Sequence, residues 1–273
     1  MKISCLPVSL FDDICSGRMS LQAWAETAKE IGYDGIDLSM LMLTAHTETY
    51  LQRIRRELDR AGLPVVMATT YPDFTHPDPK QRQREADYLA RDIALCDQLG
   101  IRYLRVLAGQ AHQEVGEEAG VTLAAEHLRQ ADAVAGKYTV QLLYENHAKP
   151  GAWSKVDFSY PIDIFFRIFD QLKDTGILLN FDIGNIVAQN REPLPILERV
   201  IDRVETVHIS DMSAYGKFDP VEIGTGVCPI QDILKRLKGY GFQGWLCIEE
   251  ASGHGLAGIA SAWRYVHNLV NEL

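Results

Sequence analysis

One local pattern recurs along the chain: a helical segment ends, a glycine follows, and a short apolar segment begins. It occurs at residues 31–36, 61–65, 99–103, 175–177 and 240–245. A glycine directly after a helix can take the left-handed conformation that caps it. A helix, a glycine and a strand in this order form the second half of a β-α-β unit. The chain is therefore predicted to alternate strands and helices.

Short apolar segments between these marks are predicted as eight strands, at residues 2–6, 35–39, 65–70, 102–107, 139–145, 177–182, 204–209 and 245–249. Each is followed by a segment with helical character. The clearest helix begins at Asp78-Pro79 and ends at Leu99, because Asp78 suits the N-cap and Pro79 the first helical position. A second helix is predicted from Pro161 to Lys173.

Eight strand-and-helix units in 273 residues fit the α/β class and, within it, the (β/α)8 TIM barrel. An open doubly wound sheet is the alternative. Such a sheet usually carries a G-x-G-x-x-G phosphate loop after its first strand, and this motif is absent there. No linker or shift in composition marks a second domain. We therefore expect one TIM-barrel domain over residues 1–273.

Composition excludes several classes of partner. The net charge of −10 disfavours nucleic acid, which a basic patch would have to attract. No apolar run approaches the ~20 residues of a membrane span, and residues 3–11 read as the first strand and not as a signal peptide. The five cysteines are odd in number and lack a C-x-x-C spacing, which favours a reducing compartment, the cytoplasm. A homo-oligomer is compatible with this composition.

Four of the predicted strands end in a residue that can bind a metal: Glu145, Asp182, His208 and Glu249. Side chains two residues apart share one face of a strand. If the four point inward, large and mostly apolar side chains face the helices, namely Leu142, Tyr144, Leu179, Phe181, Val207, Ile209, Leu246 and Ile248. One choice of inward face thus gives all four strands a metal-binding residue inside the barrel and apolar residues outside it.

The same register has two further consequences. It places the polar residues Gln141, Asn180 and Thr206 inside the barrel, below the proposed site. It also selects Glu249 over Glu250 as the inward glutamate. The register therefore predicts both the ligands and the polar layer beneath them.

TIM-barrel enzymes carry their chemistry at the C-terminal ends of the strands, where these side chains would meet. Three carboxylates at one point would repel one another strongly without a cation. Three carboxylates and one imidazole form an oxygen-rich set, which favours one Mn²⁺, Co²⁺ or Mg²⁺ ion and still allows Zn²⁺. A single divalent metal site is therefore predicted.

The strand ends carry four short motifs, which are Glu145-Asn146-His147, Asp182-x-Gly184-Asn185, His208-Ile209-x-Asp211 and Ile248-Glu249. In this order they resemble the xylose-isomerase-like barrel superfamily, and its D-tagatose 3-epimerase and hydroxypyruvate isomerase branches more than xylose isomerase itself. The resemblance covers essentially the whole chain. It implies that Glu145 and Glu249 bind the metal and also exchange protons with the substrate. Asn185 stands where the family often has histidine, so it can hydrogen-bond a substrate oxygen but cannot act as a general acid.

These observations predict a metal-dependent isomerase or epimerase of carbohydrate metabolism, acting on a small sugar or related hydroxy-ketone through an enediolate. A dehydratase on the same scaffold is the nearest alternative, because an enolate beside a β-hydroxyl can expel water. An endonuclease IV-type nuclease would need several more histidines and a basic face. A non-catalytic sugar-binding regulator would not need a complete ligand set.

The remaining candidates lie around the proposed mouth. We expect His147, Asn185, Arg105 and Trp153 to bind substrate. His147 could instead orient its neighbouring glutamate, Arg105 could pair with a carboxylate, and Trp153 could simply pack the loops. Asp211, three residues after the predicted histidine ligand, is expected to orient that histidine or to line the mouth.

Overall fold

The computed structural model describes all 273 residues. The strands are β1 (Lys2–Leu6), β2 (Ile36–Ser39), β3 (Val65–Thr69), β4 (Tyr103–Val106), β5 (Gln141–Glu145), β6 (Leu178–Asp182), β7 (Val204–Ile209) and β8 (Trp245–Glu249). The helices are α1 (Phe11–Cys15), α2 (Leu21–Ile31), α3 (Glu48–Ala61), α4 (Pro79–Leu99), α5 (Glu117–Ala135), α6 (Ile162–Gln171), α7 (Ile183–Ala188), α8 (Pro193–Val200), α9 (Ile230–Tyr240) and α10 (Gly255–Glu272). Short 3-10 helices cover Val8–Leu10, Met40–Met42 and Ile201–Arg203.

The eight strands form one sheet with the order β1-β8-β7-β6-β5-β4-β3-β2. The strands are parallel, helices lie between them in the chain, and the sheet is a nearly closed TIM barrel. The predicted fold class is therefore confirmed, and each observed strand lies within its predicted segment. None of the helices is long and apolar enough to cross a membrane.

The two helices for which the sequence predicted first and last residues are both present in the structure. α4 begins at Pro79, and the side chain of Asp78 accepts a hydrogen bond from the backbone N–H of Lys80 at 2.9 Å. This is the expected N-cap, with proline in the first turn. α6 begins after Pro161 but ends at Gln171, two residues before the predicted end.

The glycine caps follow the prediction at four of the five positions. Gly32, Gly62, Gly100 and Gly241 have φ values of 116°, 70°, 73° and 85° directly after their helices. The fifth, Gly176, is not a helix cap, so the prediction is wrong there.

The structure around Gly176 gives the reason. α6 has already ended, with Leu172 as its C-cap. The N–H of Gly176 donates to Asp132 Oδ2 at 2.9 Å, and a Cβ at this position would lie 3.1 Å from Asp132 Oδ1. Glycine therefore permits a close approach to a carboxylate instead of a left-handed cap.

The chain divides into two compact units, the first formed by residues 1–67 and 180–273 and the second by residues 68–179. The prediction of a single domain over residues 1–273 stays a prediction. In the first unit β8 pairs with both β1 and β7, in a register that sets Leu6 beside Glu249 and Val207 beside Leu246. In the second unit β4 pairs with β5, and Arg105 lies beside Leu143.

The predicted polar layer is present in the first unit. Thr206 Oγ1 donates to Asn180 Oδ1 at 2.7 Å, and both residues are fully buried. Sequence reasoning missed another member, Asp37, which accepts from Ser4 Oγ at 2.8 Å and from the N–H of Met67 at 3.1 Å. Burial raises the pKa of Asp37 to about 6, against the opposing effect of the Ser4 hydrogen bond.

Candidate metal centre

Three of the predicted ligands lie together in the first unit. Asp182, His208 and Glu249 come from the C-terminal parts of β6, β7 and β8. His208 Nδ1 is 3.8 Å from Asp182 Oδ2 and 3.3 Å from Glu249 Oε2. The imidazole therefore presents Nδ1 to both carboxylates. The side chains of Asp182 and His208 are each 1% exposed, whereas that of Glu249 is 23% exposed.

The two oxygens of Asp182 have different surroundings. Oδ1 accepts from the N–H of Asn185 at 2.7 Å, which makes Asp182 the N-cap of α7, and from Ser210 Oγ at 3.0 Å. Oδ2 is the oxygen that lies nearest His208 Nδ1. The helix cap and the serine hydroxyl together fix which oxygen of Asp182 faces the histidine.

Gly184 is required by this arrangement. Its N–H donates to Ser210 Oγ at 3.1 Å. A Cβ at position 184 would collide with that oxygen and would lie 2.7 Å from Met212 Cε. The glycine of the Asp-x-Gly motif therefore gives Ser210 the space to reach Asp182. Ser210 was missed by sequence reasoning, although it lies two residues after His208 and shares its face of the strand.

Glu145, the fourth predicted ligand, ends β5 in the second unit and its side chain is 0% exposed. Its Oε2 lies 3.2 Å from Arg105 Nε and 3.9 Å from His147 Nε2. The ion-pair alternative for Arg105 is therefore what the structure contains, and the partner is Glu145. His147 lies near the carboxylate of Glu145, and its part in binding substrate stays a prediction.

The predicted ligands together form a buried group that can hold a metal ion. Glu145, Asp182, His208 and Glu249 each offer one ligand atom, and these atoms all lie within 4.8 Å of one another. Three carboxylates at such distances repel one another, and Arg105 supplies one positive charge against them. An oxygen-rich set with one imidazole fits a hard or borderline divalent ion, and zinc is also compatible.

Trp153 and Asn185 have structural contacts that bear on their expected role. The indole Nε1 of Trp153 donates to the carbonyl of Tyr71 at 3.2 Å, and the ring is buried. Trp153 thus ties the loop after β5 to the loop after β3. Asn185 is buried, and its backbone N–H caps α7. Their part in binding substrate stays a prediction.

Asp211 organises the loop after β7. Its Oδ1 accepts from the N–H groups of Met212 and Cys228, both at 3.0 Å. Its Oδ2 accepts from the N–H groups of Gly224 at 3.0 Å and Gly226 at 2.9 Å. Both oxygens are therefore used to hold a loop. Spacing alone could not reveal this, because three of the four donors are backbone groups 13 to 17 residues further along the chain.

Asp157 is a buried carboxyl in the second unit that the sequence analysis did not predict. Its Oδ1 accepts from the N–H and the Oγ of Ser159, both at 2.7 Å. Burial raises the pKa of Asp157 to about 8; the charge of Glu145 also raises it, whereas the Ser159 hydrogen bonds and the charge of Arg105 lower it. The carboxyl therefore favours its protonated form in the folded protein at neutral pH.

This shift predicts a stability change with pH. The folded protein holds the Asp157 proton up to about pH 8, whereas the unfolded chain releases it near the ordinary aspartate pKa of 3.8. The contribution of Asp157 to stability is therefore complete below about pH 4 and is lost as pH rises to 8. Asp157→Asn keeps the acceptor oxygen and removes the titration, so the variant should gain stability relative to wild type between pH 4 and pH 8 in urea unfolding.

Asp97 provides the control, because hydrogen bonds from Thr139 lower its pKa. Asp97→Asn should show no gain over the same range. An Asp157→Asn difference that is flat with pH would contradict the assignment of a protonated Asp157.

The family of the chain is indicated by a match over most of its length. Residues 25–267 match the family model described as "Xylose isomerase-like TIM barrel". No curated protein matches the chain in sequence.

Solved structures are similar to this chain in fold. The IolI protein with a bound zinc atom is 17% identical, with a TM-score of 0.81 and coverage of 100% of this chain and 99% of the other. A D-tagatose 3-epimerase-like protein is 17% identical, with a TM-score of 0.79 and the same coverage. AsbF from Bacillus anthracis, a probable 3-DHS dehydratase, is 14% identical, with a TM-score of 0.78 and coverage of 98% and 99%. At these identities the likeness shows the fold alone.

Proposed function

Because the chain belongs to the xylose isomerase-like TIM-barrel family, we propose that it is a divalent-metal-dependent isomerase or epimerase of a small sugar or related hydroxy-ketone. The observation that carries this proposal is the group of three carboxylates and one imidazole whose ligand atoms lie within 4.8 Å. Such a group sits at strand ends, where TIM barrels perform their chemistry.

The ligands in this proposal are Glu145, Asp182, His208 and Glu249. For Asp182, the hydrogen bonds to Oδ1 leave Oδ2 as the oxygen next to His208. For His208, the position of Nδ1 between two carboxylates supports that nitrogen as the donor. The donor set favours one Mn²⁺, Co²⁺ or Mg²⁺ ion. Zinc remains compatible, since the similar IolI protein has a zinc atom.

The reaction divides between the metal and the side chains. A bound divalent ion would polarise the substrate carbonyl and stabilise the negative charge of the enediolate. We propose that Glu145 and Glu249 exchange the carbon-bound proton. We propose that His147 and Asn185 contact substrate oxygens, that Arg105 lies at the edge of the substrate site, and that Trp153 forms an apolar wall. The buried setting of these side chains would exclude water from the enediolate.

A dehydratase is the second candidate, and the likeness to AsbF is the observation that favours it. Removal of the same proton gives the same enolate. A β-hydroxyl then leaves as water, instead of a proton returning to carbon. The two activities share their first step and differ in their product.

The proposal also covers the cellular compartment and the binding partners of the enzyme. All five cysteines are free, which suits the cytoplasm. We propose a small molecule as the partner, in carbohydrate metabolism, without nucleic acid or membrane. The homo-oligomer stays a prediction.

The test incubates the protein, loaded separately with Mn²⁺, Co²⁺, Mg²⁺ or Zn²⁺, with ketoses, α-hydroxy-ketones and a β-hydroxy-ketone in deuterated water. Nuclear magnetic resonance follows carbon-bound deuterium and the products. We expect deuterium beside the carbonyl together with an isomer or an epimer. An unsaturated product would assign the dehydratase, and no exchange with any metal would contradict both candidates.

His208 and His147 should differ sharply in metal binding. His208 lies close to two ligand carboxylates, whereas His147 is 3.9 Å from one oxygen of Glu145. Loss of a partner outside the ligand set typically costs about 10–100-fold in metal affinity. We therefore expect His208→Ala to weaken Mn²⁺ binding by more than about 100-fold and His147→Ala by about 10-fold. Calorimetric titration measures both, and equal losses would mean that the ligand set is assigned wrongly.

A further inference from the structure

A cavity of about 390 Å³ lies in the second unit, at the N-terminal ends of β4, β5 and β6. Arg102 precedes β4, Gln141 begins β5, and Gly176 lies two residues before β6. Asp132 and Tyr138 line the cavity from the end of α5 and from the turn that follows it. The predicted metal ligand at the other end of β5 is about 13 Å away along the strand. The cavity is therefore separate from that ligand, and its volume is that of a small-molecule site.

Gly176 leaves a carboxylate oxygen uncovered at this cavity. Its N–H donates to Asp132 Oδ2 at 2.9 Å, and a Cβ at position 176 would lie 3.1 Å from Asp132 Oδ1. No hydrogen bond occupies Oδ1. The charge of Arg129 also acts on Asp132, but its guanidinium pairs with Asp174, where Nη1 is 3.1 Å from Oδ2. A half-buried carboxylate thus keeps one oxygen for another donor.

Gln141 supplies a second acceptor. The sequence analysis placed this residue in a polar layer inside the barrel, and in the structure it lines the cavity. Its Nε2 donates to the carbonyl of Gly176 at 2.7 Å and to the carbonyl of Leu142 at 3.0 Å. Both amide hydrogens are thereby used, whereas Oε1 carries no hydrogen bond. An amide held in this way offers its oxygen to a ligand.

Arg102 and Tyr138 add a cation and an aromatic ring. Arg102 is exposed and forms no ion pair, and its guanidinium carbon lies 5.6 Å from the centre of the Tyr103 ring. Tyr138 is 40% exposed, and its N–H donates to the carbonyl of Ala135 at 2.9 Å, which holds the turn. The lining therefore combines two fixed acceptors, one donor group and one exposed ring, with one charge of each sign.

We propose that this cavity binds a sugar in its ring form, at a second site that takes no part in the proposed reaction. A hydroxyl can donate and accept at once, so neighbouring hydroxyls can donate to Asp132 Oδ1 and Gln141 Oε1 and accept from Arg102. The apolar C–H face of a pyranose can pack on the ring of Tyr138. One charge of each sign in the lining favours a neutral ligand over an anion, which Asp132 would repel.

The probe is methyl β-D-glucopyranoside, whose locked ring has no free carbonyl and therefore cannot be a substrate of the proposed isomerase. The reporter is the amide signal of Gly176 in the nuclear magnetic resonance spectrum of isotope-labelled protein, because this N–H donates to Asp132. The spectrum of Gly176→Ala identifies the signal by its absence. We expect millimolar probe to shift the signal of the wild-type protein in a saturable way.

Two variants of the lining test the contacts. Asp132→Asn keeps the size and an acceptor for the Gly176 N–H but replaces the free oxygen by an amide donor, so affinity should fall at least about tenfold. Tyr138→Ala should also lower affinity, and its exposed position makes it tolerable to the fold. Asp163→Asn is the matched control, because Asp163 is exposed on α6 and does not line the cavity. It should bind the probe as the wild type does.

Three results would overturn the proposal. The first is the absence of a saturable shift in the wild type, and the second is wild-type affinity in both Asp132→Asn and Tyr138→Ala. The third is a shift caused by glycine and not by the glycoside, which would assign the cavity to a zwitterion. Because the probe cannot be isomerised, none of these results bears on the proposed function of the metal centre.

Discussion

Replacing Glu249 by glutamine is expected to lower turnover by at least about 100-fold, because removal of a positioned general base typically costs ~10²–10⁴-fold in rate. Glutamine keeps the size of the side chain and one ligand oxygen but cannot accept the carbon-bound proton. The fold and most of the metal affinity should therefore remain. Steady-state kinetics at saturating Mn²⁺, together with calorimetric metal titration, measures the two properties separately.

The neighbouring glutamate provides the control for this result. Glu250 is fully buried, and its Oε1 accepts from the N–H of Ser252 at 2.9 Å and from the Ser252 hydroxyl. It holds the turn between β8 and α10. Glu250→Gln should lower the melting temperature and keep turnover. Lost turnover in Glu250→Gln with normal turnover in Glu249→Gln would mean that the opposite face of β8 carries the chemistry.

Removal of the metal should abolish turnover and also lower the stability of the fold. Without a cation, the carboxylates of the centre repel one another at distances below 4.8 Å. Metal that binds only the folded protein stabilises it by ~2.7 kcal/mol at 100 times its dissociation constant. We expect chelation to lower the melting temperature, and Mn²⁺, Co²⁺ or Mg²⁺ to restore both stability and turnover.

The control for chelation is His208→Ala, in which added metal should raise the melting temperature far less than in wild type. Its Nδ1 lies nearest to two of the carboxylates, so its loss removes a central donor. Full turnover in extensively chelated, metal-free protein would contradict the proposed mechanism.

The fold could be predicted from the sequence because local signals agree with the global architecture. Alternation placed polar Asn180 and Thr206 on one face, and the two side chains are hydrogen-bonded to each other in the structure. The N-cap at Asp78 fixed the start of α4. Gly176 shows the limit of such signals. It follows a predicted helix in sequence, as a capping glycine does, but in the structure it approaches Asp132 instead.

The candidate site was predictable where strand ends carry it and not where loops support it. The four predicted ligands lie at strand ends: Glu145, Asp182, His208 and Glu249. Because the C-terminal ends of parallel strands lie at one end of a barrel, their proximity could be predicted. The contact of Arg105 with Glu145 depends on the register between β4 and β5, which sequence does not give. Ser210 could have been found by alternation. Asp157 could not, since its burial depends on the loop after β5 folding back on itself, where its N–H donates to the carbonyl of Ala148 at 2.7 Å.

The anchoring of the loop after β7 by Asp211 has a consequence for protein engineering. One carboxylate binds the backbone at Met212, where the loop begins, and again at Gly224, Gly226 and Cys228, where it ends. The stems are also joined by the N–H of Ser213, which donates to the carbonyl of Asp219 at 3.0 Å, and by a bridge between Met212 and Pro220. The tip at 214–218 lies outside these stem contacts and is therefore a cassette: libraries of new sequence and length can be grafted there to alter substrate choice, while the stems hold the strand end that carries His208.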